Sequence, residues 1–430
     1  MAIATTGSAP ATSGQSDGQT YRAALAMVTT LFFFWGFVTV LNDILVPHLK
    51  SIFDLTYTKV MLIQFAFFSA YFIFSIPSAK VIDTIGYKKT MVAGLVTMGI
   101  GALLFIPAAS APSYPLFLCA LMVLAAGITA LQVAANAYVS VLGPPETASS
   151  RLNLTQAFNS LGTTIGPYLG GLFILNANSS SADALQKMSA DALHAYRIQE
   201  ASSVKLPYTI IGVALIAFAV LIGMFKLPPM PEAERHGQHG KGPSIWKYTH
   251  LVLGMVGIFV YVGAEVSIGS FLINYLSQPD IGNMSELAAA KYVAYYWGGA
   301  MVGRFIGSAL LQKIKTGTLL GICGLAAATL VCVTMLTTGT IATWSVILVG
   351  FFNSIMFPSI FTLGIAKLGP LTGDGSGLLI MAIVGGAILP VIQGAIADRI
   401  GIHHAFILPV ICYLYIVYYA FRGSRPVVPA

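Results

Sequence analysis

Charge is what this chain has least of. Only 9% of its 430 residues are Asp, Glu, Lys or Arg, where a soluble domain carries about 25%. A water-facing surface cannot be tiled from so few charges, and with 57% of the residues hydrophobic most of the surface must face lipid. Cysteine is scarce as well. Cys119, Cys323, Cys332 and Cys412 all fall inside apolar runs, where they read as small packing residues and not as disulfides or metal clusters. Residues 1–20 have neither the basic start nor the apolar core of a secretory signal. With Asp17 as their single charge, they read as a disordered cytoplasmic tail. No basic cluster is interleaved with aromatics, so the formal charge of +7 does not describe a nucleic-acid surface.

What the chain does have is long apolar runs. A helix needs about 20 apolar residues to cross the hydrocarbon. Such runs lie near 24–47, 59–82, 89–108, 114–142, 152–176 and 205–227, then near 249–276, 290–312, 317–338, 341–367, 373–397 and 402–421. Twelve spans put both termini on one side, and Lys and Arg choose which. With the N-terminus inside, the inner loops hold twice as many basic residues as the outer ones, as the positive-inside rule requires. Only Arg304 is left within a span. The expected organisation is an all-α membrane protein of two six-helix bundles, 21–227 and 249–421. A cytoplasmic linker, 228–248, joins them, and a short tail, 422–430, follows. His236 and His239 in that linker have no further ligands nearby and read as solvated side chains.

The halves echo one another. Ile82-Asp83-Thr84-Ile85-Gly86-Tyr87-Lys88-Lys89 and Gly303-Arg304-Phe305-Ile306-Gly307, with Lys313 and Lys315 beyond, each end a second span in glycines and a basic turn. Two halves related by an axis along the membrane normal fit the major-facilitator plan, which binds its substrate near the midplane between them.

Burying an ionisable side chain at mid-bilayer costs about 3 kcal/mol on insertion scales, so each one retained is a functional candidate. Asp43 shares a helical stripe with Trp35, Thr39 and Asn42. Facing a cavity it would carry a proton; near the outer end it would only reach interfacial water. Glu265 and Arg304 lie on neighbouring spans, where an ion pair would lower the cost of burying both. Alternatively Glu265 accepts hydrogen bonds from a solute's hydroxyls.

Amides are more telling in combination. Gln132 and Asn136 share one helical face, as do Gln156, Asn159 and Thr163, and Gln64, Asn274 and Asn353 add amides from three further spans. Any one of these can be interhelical glue. Together they suit a polar cavity for a solute covered in hydroxyls, because an amide both donates and accepts. Trp35, Trp297 and Phe357 offer flat faces to the C–H side of a sugar ring, or simply pack.

Four blocks carry a family resemblance. They are Phe34-Trp35-Gly36 through Asn42-Asp43-Ile44-Leu45-Val46-Pro47; Leu131-Gln132-Val133-Ala134-Ala135-Asn136; Arg151-Leu152-Asn153-Leu154-Thr155-Gln156-Ala157-Phe158-Asn159-Ser160; and Tyr261-Val262-Gly263-Ala264-Glu265-Val266-Ser267-Ile268-Gly269-Ser270-Phe271. In this order they resemble the fucose–galactose–glucose:proton symporter family of the major facilitator superfamily. The resemblance implies a sugar:cation symporter working by alternating access, with Asp43 as the first-helix acid of the proton pathway. Fucose-carrying members have a glutamate where this chain has Gln132, and an amide cannot take up and release a proton. The glutamine pattern is more similar to the glucose/galactose branch. Some relatives are sodium-linked, and Asp43 with Asn42 would offer oxygens to Na⁺.

The expected function is therefore proton symport of a hexose such as glucose or galactose across a bacterial inner membrane. A sodium-coupled carrier, an L-fucose permease and a non-transporting sugar sensor stand as alternatives. The expected partners are a small sugar and the lipid bilayer, with the chain acting as a monomer without a cofactor. No paired catalytic carboxylates or nucleophile motif points to an enzyme. Asp43→Asn is expected to abolish cation-driven accumulation of glucose or galactose in proteoliposomes while exchange or binding persists in part. Undiminished accumulation would remove Asp43 from the cation pathway.

Overall fold

A segment inside hydrocarbon must satisfy its own backbone N–H and C=O groups, and the helix does so within one stretch of chain. Accordingly, every regular element among the described residues is helical. The computed structural model describes residues 21–39, 57–110, 113–174, 205–228 and 244–427, together with Ser189 and Ala192. The expected tail 1–20, most of the linker with His236 and His239, and the pair Asn42 and Asp43 lie outside the described residues. The side chain of Gln64 does too.

In chain order the helices are α1 (Tyr21–Thr39), α2 (Tyr57–Ser110), α3 (Tyr114–Val141), α4 (Ala148–Ile174), α5 (Lys205–Met224) and α6 (Thr249–Leu276). Then follow α7 (Glu286–Leu310), α8 (Thr316–Leu336), α9 (Gly339–Gly364), α10 (Gly369–Ile400) and α11 (Ile402–Gly423). The 54 residues of α2 are not one rod. Gly86, at φ 80° and ψ 166°, breaks it inside the basic turn Ile82–Lys89, an angle that a residue with a Cβ rarely takes. Two rods meet there. The α9 and α10 rods are also interrupted, α9 at Ser354–Ile355 and α10 by a 3₁₀ turn at Ala382–Val384.

Nine helical stretches among the described residues are long and apolar enough to cross a membrane. The α4 and α7 helices stand outside that set although they run to 27 and 25 residues. Their sequences are diluted by Asn, Gln, Ser, Thr, Gly and charged residues. Those two helices face each other. Outward-facing surfaces elsewhere are apolar: on α5, Leu206 is 66% and Met224 79% exposed, with Ile210, Val213 and Val220 between them. Such a stripe would be a liability in water and is the expected surface in lipid.

Packing divides the rods into two groups. The α2 helix packs on α3 and α5, while α6 packs on α9, α10 and α11 and α8 packs on α9 and α11. Between the groups run two seams, α4 against α7 and α2 with α3 against α10. Arg151 fixes the start of α4. Its guanidinium is buried and donates to the carbonyl oxygens of Ser140 (2.9 Å), Val139 (3.2 Å) and Pro144 (2.8 Å), so it caps the C-terminal end of α3.

Within a group the helices touch backbone to backbone. A Cβ on Gly36 of α1 would collide with the Asn159 carbonyl oxygen of α4. Gly36→Val therefore cannot be accommodated by a side-chain shift and should destabilise the fold by about 1–3 kcal/mol. A lowered melting temperature in detergent checks this, with Gly223→Ala, where a Cβ meets nothing within 4 Å, as the neutral control.

Candidate functional site

The α4–α7 seam is polar at one end and hollow further along. At the end where α4 begins and α7 finishes, Ser150 Oγ donates to the Ser308 carbonyl (2.7 Å), and Ser308 Oγ returns a bond to the Ser150 carbonyl (3.0 Å). Ser149 Oγ lies 2.6 Å from Thr362 Oγ1 and accepts from Thr316 Oγ1 at 2.9 Å. Asn153 Nδ2 donates to the Arg304 carbonyl at 2.7 Å. Serine and glycine along this stretch allow the close approach that such bonds need. Phe158 and Phe305 meet edge to face across the seam, with centroids 5.8 Å apart.

Above this closed end lies a cavity of about 470 Å³. Its α4 wall is Asn159, Ser160, Thr163 and Thr164; its opposite wall is Glu265 of α6 and Ala294, Trp297, Gly298, Ala300 and Arg304 of α7. Small-molecule sites occupy roughly 300–1,000 Å³ with a few convergent polar groups on an apolar wall, and this one fits. Trp297 is 43% exposed, with its indole against Gly269 of α6. Asn159 Nδ2 donates to the Phe32 carbonyl at 3.0 Å, while no protein donor among the described residues reaches its Oδ1.

Arg304 forms the floor. Its Nη1 donates to Ser160 Oγ and, at 3.4 Å, to the Gln156 carbonyl; its Nε donates to the Ser354 carbonyl at 3.3 Å. One side chain thus holds both walls. Glu265 does not take part in that grip. Its Oε1 accepts from the Tyr261 hydroxyl at 2.8 Å. The direct ion pair between Glu265 and Arg304, one of the two readings of Glu265, is not formed among the described residues; carbonyl and hydroxyl acceptors from α4 and α9 hold Nε and Nη1 of the guanidinium instead.

Behind Glu265 the core stays polar. Asn353 Nδ2 donates to the Tyr296 hydroxyl at 2.8 Å, and the Asn353 carbonyl lies 3.1 Å from the Tyr261 hydroxyl. The buried Tyr413 hydroxyl adjoins the Asn353 side chain, and neither it nor Asn353 Oδ1 meets any further partner among the described residues.

Of the residues singled out in the sequence, the structure brings Asn159, Glu265, Trp297 and Arg304 to one cavity, with Thr163 beside them. Others do not line it. Gln132 Nε2 donates to the Tyr71 hydroxyl at 2.7 Å, and Gln156 Nε2 donates to Asn136 Oδ1 at 3.3 Å, all of them buried. These amides tie α2, α3 and α4 together. Trp35 is buried against Phe32 at a centroid distance of 5.1 Å. Asn353 sits behind the wall, and Asn274 is exposed towards the far end of α6. Helical spacing places residues on a face but does not say which neighbour the face meets.

Ser160, Thr164, Tyr261 and Tyr296 were not foreseen. Tyr261 had a signal, its i,i+4 spacing to Glu265; the rest depend on how the helices cross.

Comparison with known proteins agrees with this architecture. The family model of the Major Facilitator Superfamily matches residues 24–382, and the chain belongs to that family. It is 54% identical over 410 residues to a protein of Brucella abortus named glucose/galactose transporter, covering 95% of this chain and 96% of that one. It is 35% identical over 420 residues to the L-fucose-proton symporter of Escherichia coli, covering 96% and 95%. A crystal structure of FucP in the outward conformation superposes with a TM-score of 0.89 at 34% identity, over 94% of this chain and all (100%) of that one.

Tyr296→Phe removes the acceptor of the Asn353 amide. An orphaned buried donor costs about 1–3 kcal/mol, so a drop in the detergent melting temperature should result. An unchanged temperature would mean the hydrogen bond contributes nothing.

Proposed function

We propose that this chain is a proton-coupled hexose symporter of a bacterial inner membrane, carrying glucose or galactose by alternating access. The observation that carries the reading is the cavity itself. It joins both halves, and it combines a carboxyl group, an uncommitted amide oxygen, hydroxyls and a half-exposed indole. A pyranose needs those things: hydrogen-bond partners for its rim of hydroxyls and a flat apolar surface for its C–H face. The name of the Brucella abortus relative supports a hexose as cargo, and that of the Escherichia coli relative supports the proton as coupling ion.

In this reading Asn159 and Glu265 engage the sugar hydroxyls and Trp297 stacks on the ring, while Asp43, with Asn42, takes up the proton from outside. Twelve spans result when α2 is taken as two rods and the polar α4 and α7 are added to the apolar set. The basic turn at Lys88 and Lys89 then lies on the cytoplasmic side with both termini. That orientation makes the Ser150–Ser308 end cytoplasmic and the cavity outward-facing, in keeping with the FucP structure it resembles. Transport follows if the halves rock about the site, breaking one end of the seam as the other closes.

Ligands that bind only the folded state raise its melting temperature. Glucose and galactose should therefore stabilise the purified protein where fucose does not, and an acid-outside gradient should drive their uptake into proteoliposomes. Asn159→Ala and Trp297→Ala should each raise the half-saturating sugar concentration about tenfold, the equivalent of one good contact. No stabilisation by any hexose would sink the reading.

A further inference from the structure

We infer that Arg304 is a movable arm, shared between the cytoplasmic seam and Glu265, and that the proton on Glu265 decides which one holds it. The inference rests on the proton-coupled reading of the site above and concerns residues to which that reading gives no coupling role.

Three observations carry it. First, Arg304 spans the two halves, since Ser160 and the Gln156 carbonyl belong to α4 whereas the Ser354 carbonyl belongs to α9. Every one of these partners is neutral. They satisfy its N–H groups but cannot neutralise its charge. Second, Glu265 shares the cavity with Arg304 yet, among the described residues, hydrogen-bonds to Tyr261 alone. A carboxylate and a guanidinium in one low-dielectric hollow attract strongly, so an ionised Glu265 competes for Arg304 with the seam. A protonated Glu265 does not. Third, among the described residues no other full charge is placed to interfere. The titratable groups facing Glu265 are Tyr261 on its own helix, Arg304 and Tyr296 from α7 and Tyr413 from α11. The α4 wall presents the neutral Asn159, Ser160, Thr163 and Thr164.

The cycle follows. With Glu265 protonated from the outer side, Arg304 stays on Ser160 and Gln156, and the cytoplasmic seam is closed, as in this structure. When sugar binding draws the walls together and the seam parts, Arg304 loses its α4 partners. It then turns to Glu265, and the carboxyl proton passes to water on the cytoplasmic side as the ion pair forms. Return to the outward state pulls Arg304 back to α4 and leaves Glu265 ready to be protonated again. Glu265 thereby supplies, in the C-terminal half, an acid that the amide of Gln132 cannot supply in the N-terminal half.

The test reads the seam directly. In a chain whose four cysteines are replaced by alanine, Ser150→Cys and Ser308→Cys place a thiol pair across the seam, where the two Oγ atoms lie 3.4 Å apart. Disulfide yield is compared at about pH 5 and about pH 8, in proteoliposomes without sugar, conditions that favour the protonated and the ionised carboxyl group respectively. Thiolate chemistry affects every background alike, so the ratio to the Glu265→Gln chain isolates Glu265. The expected result is a yield that falls about fivefold relative to that chain as pH rises, a coupling of ordinary allosteric size. Arg304→Gln should give a yield insensitive to Glu265. A ratio that does not change with pH overturns the inference, as does a pH response that survives in Arg304→Gln; the latter also decides the matter should Glu265→Gln fail to fold. In parallel, Glu265→Gln should keep measurable galactose counterflow at lowered affinity and lose accumulation driven by a pH gradient. If the parent chain moves neither glucose nor galactose, the hexose reading fails by itself, because the crosslinking ratio requires no sugar.

Discussion

Arg304 between two halves of a membrane protein concentrates the constraint under which the whole chain folds. Inside hydrocarbon no water completes an unfilled hydrogen bond, so each polar group must find its partner in the protein or lie against a wet cavity. A guanidinium has five N–H donors to satisfy. The chain meets part of that demand, at Nε and Nη1, with backbone carbonyls and a serine drawn from α4 and α9. Those partners can be reached only if the helices approach closely, which in turn requires the small residues that line this end. The closed end, the cavity above it and the polar character of α4 and α7 are consequences of one need.

The same need fills the seam with polar bonds between side chains and backbone. Within each half, some contacts are of backbone against backbone, as at Gly36 and Asn159, where a Cβ has no room. Across the seam they are mostly hydroxyl–carbonyl and hydroxyl–hydroxyl bonds, each contributing about 1 kcal/mol net. Bonds of that size hold one arrangement when several act together and release it when a ligand or a charge favours another. A rigid half on either side of a weak, polar seam is what alternating access requires of a structure.

Legibility differed from residue to residue. Glu265, Arg304, Asn159 and Trp297 could be singled out because charge, amide and indole are conspicuous in apolar runs, and all four reach the cavity. Gln132, Asn136 and Gln156 were equally conspicuous but bond to one another and to Tyr71 inside the N-terminal half. Their spacing put them on shared faces, and nothing in a single helix says whether a face meets a cavity or another helix. The expected pairing of Glu265 with Arg304 failed for a related reason. Opposite charges on neighbouring spans suggest a bond, but the neutral acceptors that outcompete Glu265 come from α4 and α9, distant in sequence. Ser150 and Ser308 carried no signal at all, since serine is as common in plain packing as in a seam.

Composition alone determined that this chain lives in lipid, because 9% charge cannot cover a wetted surface. Apolar run lengths determined that it crosses as helices, because hydrocarbon thickness and the rise per residue set those lengths. Tertiary structure alone decided which polar residues meet across the seam, where the hollow lies and what holds Arg304. Those outcomes depend on crossing geometry between segments as much as 213 residues apart, and local periodicity carries no information about geometry over that range.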